Sequence, residues 1–268
     1  MASGRLWEGR TIMSIDLRAE AARYYDLNPN AIEDISFYID RLPGPDARVL
    51  ELGCGTGRVS LPLAETCRFL HGLDLSEAML ALCRQKIERA GLSRDRIIVQ
   101  QADITDYDLN KVFDLIIAPF RVIQNLETDK QLDSLFRCLR THLARDGRCI
   151  LDVFHPYLPR DELLRRWATN EERLAWEVER GDERMTCHDV RRRLVADPLV
   201  LYPELIYRRW REEEMLEEVV LPIPMRVFYP DEFLDLIRSA GFTITGSWGG
   251  YAGEAYGKGK ELVVEFSR

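Results

Sequence analysis

Between residues 47 and 153, short apolar runs alternate with longer segments of helical pattern, and this alternation strongly constrains the fold. Five such runs occur, at residues 49–52, 69–73, 97–99, 113–117 and 148–153. A run that is apolar at nearly every position is typical of a strand buried on both faces, and helices between such strands connect them in parallel. The sequence therefore predicts an α/β fold with a doubly wound, mostly parallel sheet and helices on both of its faces.

The segments outside this region have other patterns. Residues 16–42 have a helical apolar face, and residues 162–180 also read as helical. In residues 184–228 polar and apolar side chains alternate, as is typical of antiparallel strands. A helix from Pro230 to Ala240 and two strands after it complete the pattern. The closing strands bring the predicted sheet to seven strands.

These patterns predict three regions. We expect a helical lid in residues 1–43, a doubly wound domain in residues 44–159 and 229–268, and a β-rich insertion in residues 160–228. The insertion is predicted to cap a substrate or to form a dimer surface, and the protein to be a monomer or a homodimer.

Composition narrows the classes of partner. The chain has 268 residues and a formal net charge of −8, which disfavours a nucleic-acid substrate because such substrates select a basic surface. No apolar run approaches the ~20 residues of a membrane helix, and residues 1–12 lack the apolar segment of a signal peptide, so we expect a cytoplasmic protein. The six cysteines form no C-x-x-C pair, which predicts no metal site and no disulfide framework.

A glycine-rich segment follows the first apolar run. It reads Glu51-Leu52-Gly53-Cys54-Gly55-Thr56-Gly57 and precedes a predicted helix. Glycines allow the backbone to approach a ligand closely, and the N-terminus of a helix offers unpaired N–H groups. Dinucleotide-binding loops have a third glycine at the position that Arg58 occupies here, which disfavours an NAD-type oxidoreductase.

This segment resembles motif I of the class I, Rossmann-like S-adenosylmethionine-dependent methyltransferases. The resemblance covers residues 45–155 and 229–266 and includes an acid after the second run, Asp74, and one after the third, Asp103. Residues 113–120 resemble motif IV of the same family. The resemblance implies S-adenosylmethionine as cofactor, with S-adenosylhomocysteine as its product.

The resemblance also implies roles for individual residues. Asp74 is expected to bind both ribose hydroxyls, and Asp103 to accept a hydrogen bond from the adenine amino group. Glu51 is placed to attract the ammonium group of the methionine moiety. The full predicted cofactor-binding set is Glu51, Gly53, Cys54, Gly55, Asp74, Leu75, Met79, Asp103, Ile104 and Ala118.

The layout of the insertion is similar to that of glycine, sarcosine and sugar-amine N-methyltransferases. The sequence therefore predicts methyl transfer to a nitrogen or oxygen of a small molecule. Three residues are candidates for the chemistry: His155 as a general base, Arg121 as a ligand for a substrate carboxylate, and Tyr25 as a pocket residue on the lid. Two alternatives stay open, an RNA or protein methyltransferase that uses the insertion as a contact surface, and a cofactor-binding homologue without turnover.

Overall fold

The computed structural model describes residues 18–30 and 32–268, so the predictions for residues 1–17 lie outside the described residues. The strands are β1 Arg48–Leu52, β2 Phe69–Asp74, β3 Ile97–Gln101, β4 Phe113–Ala118, β5 Leu143–Phe154, β6 Glu172–Arg180, β7 Glu183–Ala196, β8 Leu199–Arg211, β9 Glu214–Pro222, β10 Met225–Arg226, β11 Thr243–Trp248 and β12 Glu261–Ser267. The helices are α1 Ala22–Tyr25, α2 Ile35–Ile39, α3 Ser60–Thr66, α4 Glu77–Arg89, α5 Asp129–His142, α6 Arg160–Arg166 and α7 Pro230–Ser239, with a 3-10 helix at Val122–Asn125.

Seven strands form one sheet in the order β11-β12-β5-β4-β1-β2-β3. Five neighbouring strands, in the order β3, β2, β1, β4 and β5, pair in parallel. Strand β12 lies between β5 and β11 and pairs antiparallel with both. The chain leaves β1 at the centre of the sheet, builds one half as β2 and β3, and then returns to build the other half from β4. The predicted seven-stranded, mostly parallel sheet is thus confirmed, and its strand order reverses beside β1.

Helices cover both faces of this sheet because its buried strands are apolar on both sides. In β4, Leu115 and Ile117 pack with α2 and α3, whereas Ile116 and Ala118 pack with α5 and α7. Side chains in a strand point alternately to opposite faces, so a continuous apolar run serves two cores at once. Helix α4 begins at Glu77, and the Ser76 side chain caps it by accepting a hydrogen bond from the backbone N–H of Met79.

The segment between β5 and α7 forms a separate antiparallel sheet. Strands β6, β7 and β8 are neighbours in it, and β9 and β10 both pair with β8. This confirms the predicted β-rich character of the segment. The helical prediction for residues 162–180 was wrong over most of its length: α6 ends at Arg166, and residues 172–180 are strand β6. Strand β5 also begins earlier than predicted, at Leu143.

Helix α1 packs against the antiparallel sheet. The Tyr24 ring stacks on the Tyr207 ring of β8, with 5.1 Å between centroids and 7° between planes. The Tyr24 hydroxyl donates a hydrogen bond to Glu217 of β9 at 2.7 Å. The antiparallel sheet is therefore joined to the N-terminal segment by both an aromatic and a polar contact.

No helix in residues 18–30 and 32–268 has the length and apolar character needed to cross a membrane.

Candidate functional site

The turn between β1 and α3 has glycines at two positions where a side chain would be both strained and crowded. Gly53 has φ +68°, and a Cβ atom there would lie 2.9 Å from Cγ1 of Val122. Gly57 has φ +86°, and a Cβ atom there would lie 2.7 Å from Sγ of Cys83. Both the backbone conformation and the close neighbours select glycine at these two positions. The result is a tight loop whose backbone lies open to a ligand.

Asp74, at the end of β2, is hydrogen-bonded to the backbone of this loop. Its Oδ2 accepts a hydrogen bond from the backbone N–H of Gly55 at 2.8 Å, and its Oδ1 accepts one from the N–H of Ser76 at 2.8 Å. The carboxylate is almost fully buried among protein atoms. Each oxygen has a second lone pair, so the carboxylate can also accept hydrogen bonds from a ligand that carries two adjacent hydroxyls.

Glu51 lies in the floor of the same region with its carboxyl group buried. Ser60 donates a hydrogen bond to its Oε2 at 2.5 Å. Burial raises the pKa of Glu51 from 4.5 to about 8, although Ser60 and the nearby Arg58 guanidinium oppose this shift. The side chain is therefore mostly protonated at neutral pH, and a cation placed beside it would favour its ionised form.

Two adjoining cavities open around the loop. The larger has a volume of about 580 Å³ and reaches from the glycine-rich loop to the inner face of the antiparallel sheet. The smaller, of about 250 Å³, extends past the end of β3. Their shared lining includes Gly53, Asp74 and Val122. Together they form an elongated space at the carboxyl ends of the parallel strands, where doubly wound folds bind ligands.

The turn after β4 enters the larger cavity in a strained backbone conformation. Phe120 and Arg121 have φ values of 60° and 66°, a region that favours glycine. The fully buried carboxylate of Asp152 accepts hydrogen bonds from both backbone N–H groups, at 2.9 and 2.5 Å, and a third from the Tyr38 hydroxyl at 3.0 Å. Burial raises the pKa of Asp152 from 3.8 to about 7. Two successive N–H groups around one carboxylate explain how the strained turn persists.

Ion pairs fasten the N-terminal segment over the loop. Asp26 accepts a hydrogen bond from the Thr56 hydroxyl at 2.7 Å and forms an ion pair with Lys86 of α4 at 2.7 Å. Arg58 forms a bidentate ion pair with the fully buried Asp34, with 2.9 Å between Nη2 and Oδ2. Thr56 and Arg58, at the end of the glycine-rich turn, and Lys86 of α4 therefore anchor the N-terminal segment, which lines the larger cavity.

Comparison with known proteins places this architecture in a family. A family model described as a methyltransferase domain matches residues 49–147. A ubiquinone/menaquinone biosynthesis C-methyltransferase of Wigglesworthia glossinidia brevipalpis is 32% identical over 36% of this chain, and the match spans 40% of that protein. A phosphatidylethanolamine N-methyltransferase of Cereibacter sphaeroides is 32% identical over 52% of this chain and 67% of that protein.

The chain belongs to the class I S-adenosylmethionine-dependent methyltransferases. Its fold agrees with solved structures along nearly the whole chain. The sugar N-methyltransferase KedS8 of Streptoalloteichus sp. superposes with a TM-score of 0.69 at 19% identity, covering 98% of each chain. The antiparallel sheet of this methyltransferase is part of that shared fold.

Most of the predicted cofactor-binding residues of this methyltransferase lie together at the two cavities. Glu51, Cys54, Gly55 and Met79 line the larger one, Leu75, Asp103 and Ile104 line the smaller one, and Gly53 and Asp74 line both. Ala118 does not belong to the lining of either cavity, since it is buried in the core between sheet and helices. The residues at the cavities stay predicted ligands of the cofactor.

The three candidates for the chemistry lie in different settings. Tyr25 lines the larger cavity of this methyltransferase, and burial raises its pKa. Arg121 also lines it, but its guanidinium forms a bidentate ion pair with Glu261, with 3.0 Å between Nε and Oε2. His155 lies outside the lining of both cavities, and its Nδ1 is 3.0 Å from the carbonyl oxygen of Gly259. Position thus disfavours His155, and of the two residues that line the cavity Arg121 already has a carboxylate partner within the protein.

Sequence reasoning missed part of the lining. Val122 and Asn125 of the 3-10 helix line both cavities, as do Leu221 and Ile223 from the end of the antiparallel sheet. Asn125 also accepts a hydrogen bond from Arg18 at 3.0 Å. Nothing in the local pattern marks these residues, because the contact between the 3-10 helix and the antiparallel sheet depends on the tertiary fold.

Proposed function

We propose that this protein binds S-adenosylmethionine and transfers its methyl group to a nitrogen or oxygen of a small molecule. The carrying observation is the position of Asp74, which supports the glycine-rich loop and lines both cavities. A ribose with two hydroxyls at Asp74 would leave the smaller cavity, with Asp103, for adenine. Asp103 Oδ1 accepts two hydrogen bonds from Thr105, and Oδ2 has room to accept one from an adenine amino group.

The methionine end of the cofactor fits the floor of the larger cavity. Glu51 can pair there with an ammonium group, and Gly53 and Gly55 leave the loop backbone accessible. The bound cofactor supplies an electrophilic methyl group, and the residues of the chain align it with the acceptor and exclude water. The N-terminal segment contributes to this exclusion through Asp26 and Arg58.

A small-molecule acceptor agrees with the shape of the site. The larger cavity lies under the antiparallel sheet and the N-terminal segment, so a macromolecule would reach it only through an extended end. The relatives named above include enzymes named for lipid and quinone substrates, and KedS8 is named as a sugar N-methyltransferase. The cytoplasmic location and the choice between monomer and homodimer stay predictions.

Calorimetric titration tests the cofactor assignment. We expect S-adenosylmethionine and S-adenosylhomocysteine to bind in the micromolar range, and NAD to give no binding heat. Asp74→Asn is expected to weaken binding of both at least about 10-fold, since it removes a charge-assisted hydrogen bond. Asp133→Asn, in an exposed acid of α5, is the matched control and should bind like the wild type. Absence of binding in folded wild-type protein would refute the proposal.

A further inference from the structure

Asp152 is a fully buried acid at a position where its strand would otherwise carry an apolar side chain. It lies on the same face of β5 as Ile150, which packs in the core with α2 and α3. A carboxylate in such a core costs free energy unless its oxygens are hydrogen-bonded. Asp152 accepts three hydrogen bonds, and two of them come from the backbone of the turn after β4. The acid is therefore matched to the conformation of that turn.

The turn has a conformation that residues with side chains do not favour. Phe120 and Arg121 both have positive φ, and the 3-10 helix begins at the next residue, Val122. The chain would tend to leave this conformation if nothing held its two N–H groups. Oδ2 of Asp152 accepts the N–H of Phe120, and Oδ1 accepts that of Arg121. Each carboxylate oxygen thus holds one residue of the turn.

The turn places side chains against the glycine-rich loop. The Val122 side chain packs on Gly53, where an added Cβ atom would meet it, and both residues line both cavities. The Phe120 ring lies beside the guanidinium groups of Arg58 and Arg121, with 5.9 and 5.5 Å to its centroid. Arg58 directly follows the last glycine of the loop. A change in the turn would therefore displace side chains at the loop and at the 3-10 helix together.

We propose that Asp152 is a positioning residue of this methyltransferase, which shapes the ligand site by holding the turn after β4 in its positive-φ conformation. The inference rests on the proposed function, because Gly53 and Val122 line the space that is assigned there to the cofactor. Asp152 itself is fully buried and does not belong to the lining of either cavity. It therefore acts on a ligand only through the backbone that it holds.

Asp152→Asn keeps the size of the side chain and removes one of its two contacts with the turn. An amide has one acceptor oxygen and an NH2 group that only donates, so one of the two N–H groups would face a donor. We expect this variant to bind S-adenosylhomocysteine at least about 10-fold more weakly, because the unmatched N–H favours release of the turn. Calorimetric titration at pH 8 measures the loss, since Asp152, with a pKa of about 7, is mostly ionised there.

Tyr38→Phe is the control that separates positioning from stability. It removes the third hydrogen bond to Asp152 and leaves both N–H groups of the turn with their acceptor. Both variants should lower the free energy of unfolding, because each removes a hydrogen bond in the buried core. Only Asp152→Asn should lose affinity, and Tyr38→Phe should bind S-adenosylhomocysteine within about 2-fold of the wild type. Equal losses of affinity in the two variants, or no loss in Asp152→Asn, would overturn the proposed role.

Substitutions at residue 120 test whether Asp152 acts through the backbone. Phe120→Ala and Phe120→Gly both remove the ring, but only glycine adopts a φ of 60° without strain. The loss of affinity caused by Asp152→Asn should therefore be about 3-fold smaller in the Phe120→Gly background than in the Phe120→Ala background. If Asp152→Asn alone does not fold, adding Phe120→Gly should recover both folding and binding.

Equal losses in the two backgrounds, or no recovery by Phe120→Gly, would show that Asp152 does not act through the turn. The wild type is titrated first. Failure of folded wild-type protein to bind S-adenosylhomocysteine would instead refute the proposed function.

Discussion

At the scale of single residues, Glu51 has a protonation state that a bound cation should change. Its pKa of about 8 leaves the carboxyl group mostly protonated at pH 7. A cationic cofactor placed beside it would lower that pKa and release up to about one proton. Calorimetry at pH 7 in two buffers of different ionisation enthalpy should therefore give different apparent enthalpies for S-adenosylmethionine binding.

Glu51→Gln supplies the control for this proton release. The amide keeps the size of the side chain but has no titrating proton, so its apparent enthalpy should not depend on the buffer. We expect the affinity of the wild type for S-adenosylmethionine to rise between pH 6 and pH 8, as Glu51 becomes easier to ionise. The affinity of Glu51→Gln should not rise in this way. Equal enthalpies of the wild type in both buffers would show that Glu51 does not face the cationic part of the ligand.

The glycine at position 53 allows a prediction about stability. Gly53→Ala adds a Cβ atom 2.9 Å from Val122 Cγ1 in a residue with positive φ. We expect a loss of about 1–3 kcal/mol in the free energy of unfolding, measured with urea, because overpacking and backbone strain both contribute. Gly44→Ala is the matched control, since a Cβ atom there meets nothing within 4 Å. Equal stability of the two variants would contradict the proposed steric role.

At the scale of secondary-structure elements, the ion pair between Arg58 and Asp34 joins the segment before α2 to the glycine-rich turn. Asp34 is fully buried, so Arg58→Met leaves an uncompensated carboxylate and should cost about 3 kcal/mol in the free energy of unfolding. Arg166→Met breaks an exposed pair with Glu162 and should cost less than about 1 kcal/mol.

A second substitution shows how much of this loss comes from the unpaired charge of Asp34. In the Arg58→Met background, Asp34→Leu replaces the buried carboxylate with an apolar side chain and should recover most of the lost stability. Urea unfolding of the single and double variants measures this coupling. A double variant that is less stable than Arg58→Met alone would show that Asp34 has another role.

The sequence predicted the elements of the parallel sheet because each apolar run carries its own signal. Strand β6 was mistaken for a helix because residues 172–180 are good helix formers, although Leu174, Trp176 and Val178 alternate as in a strand. The pairing of β6, from Glu172 to Arg180, with the first part of β7 overrides this local preference. The hydrogen bonds that Asp152 accepts could not be predicted either, since they join residues from β5, α2 and the turn after β4.

At the scale of the whole molecule, the candidate site also has parts with a local sequence signal and parts that only the tertiary fold brings together. Asp74 and Asp103 could be predicted from the sequence as candidate ligands because Asp74 ends β2 and Asp103 follows the end of β3, and both line the smaller cavity. The larger cavity is built between the N-terminal segment, the 3-10 helix and the antiparallel sheet, which are far apart in the chain. Its lining thus depends on the assembled fold and not on a motif.

The stability of the whole molecule should depend on pH through its buried acids. Glu51 and Asp152 have pKa values of about 8 and 7 in the folded state, above their ordinary values of 4.5 and 3.8. Between the unfolded-state and folded-state pKa values of each acid, the folded state holds a proton that the unfolded state has lost. Raising the pH through this range therefore lowers the free energy of unfolding. Burial lowers the pKa of His71 to about 4, an effect that destabilises the fold only below about pH 6.5.

Urea unfolding between pH 6.5 and pH 7.5 therefore reports mainly on the two acids, because it stays below the ordinary pKa of 9.0 of the buried cysteine thiols. We expect the free energy of unfolding of the wild type to fall across this range, and that of Glu51→Gln to fall less, because the amide loses no proton. Asp133→Asn, at an exposed site, should keep the slope of the wild type. A wild-type stability that rises with pH, or equal slopes for the wild type and Glu51→Gln, would mean that Glu51 is already ionised in the folded protein at pH 6.5.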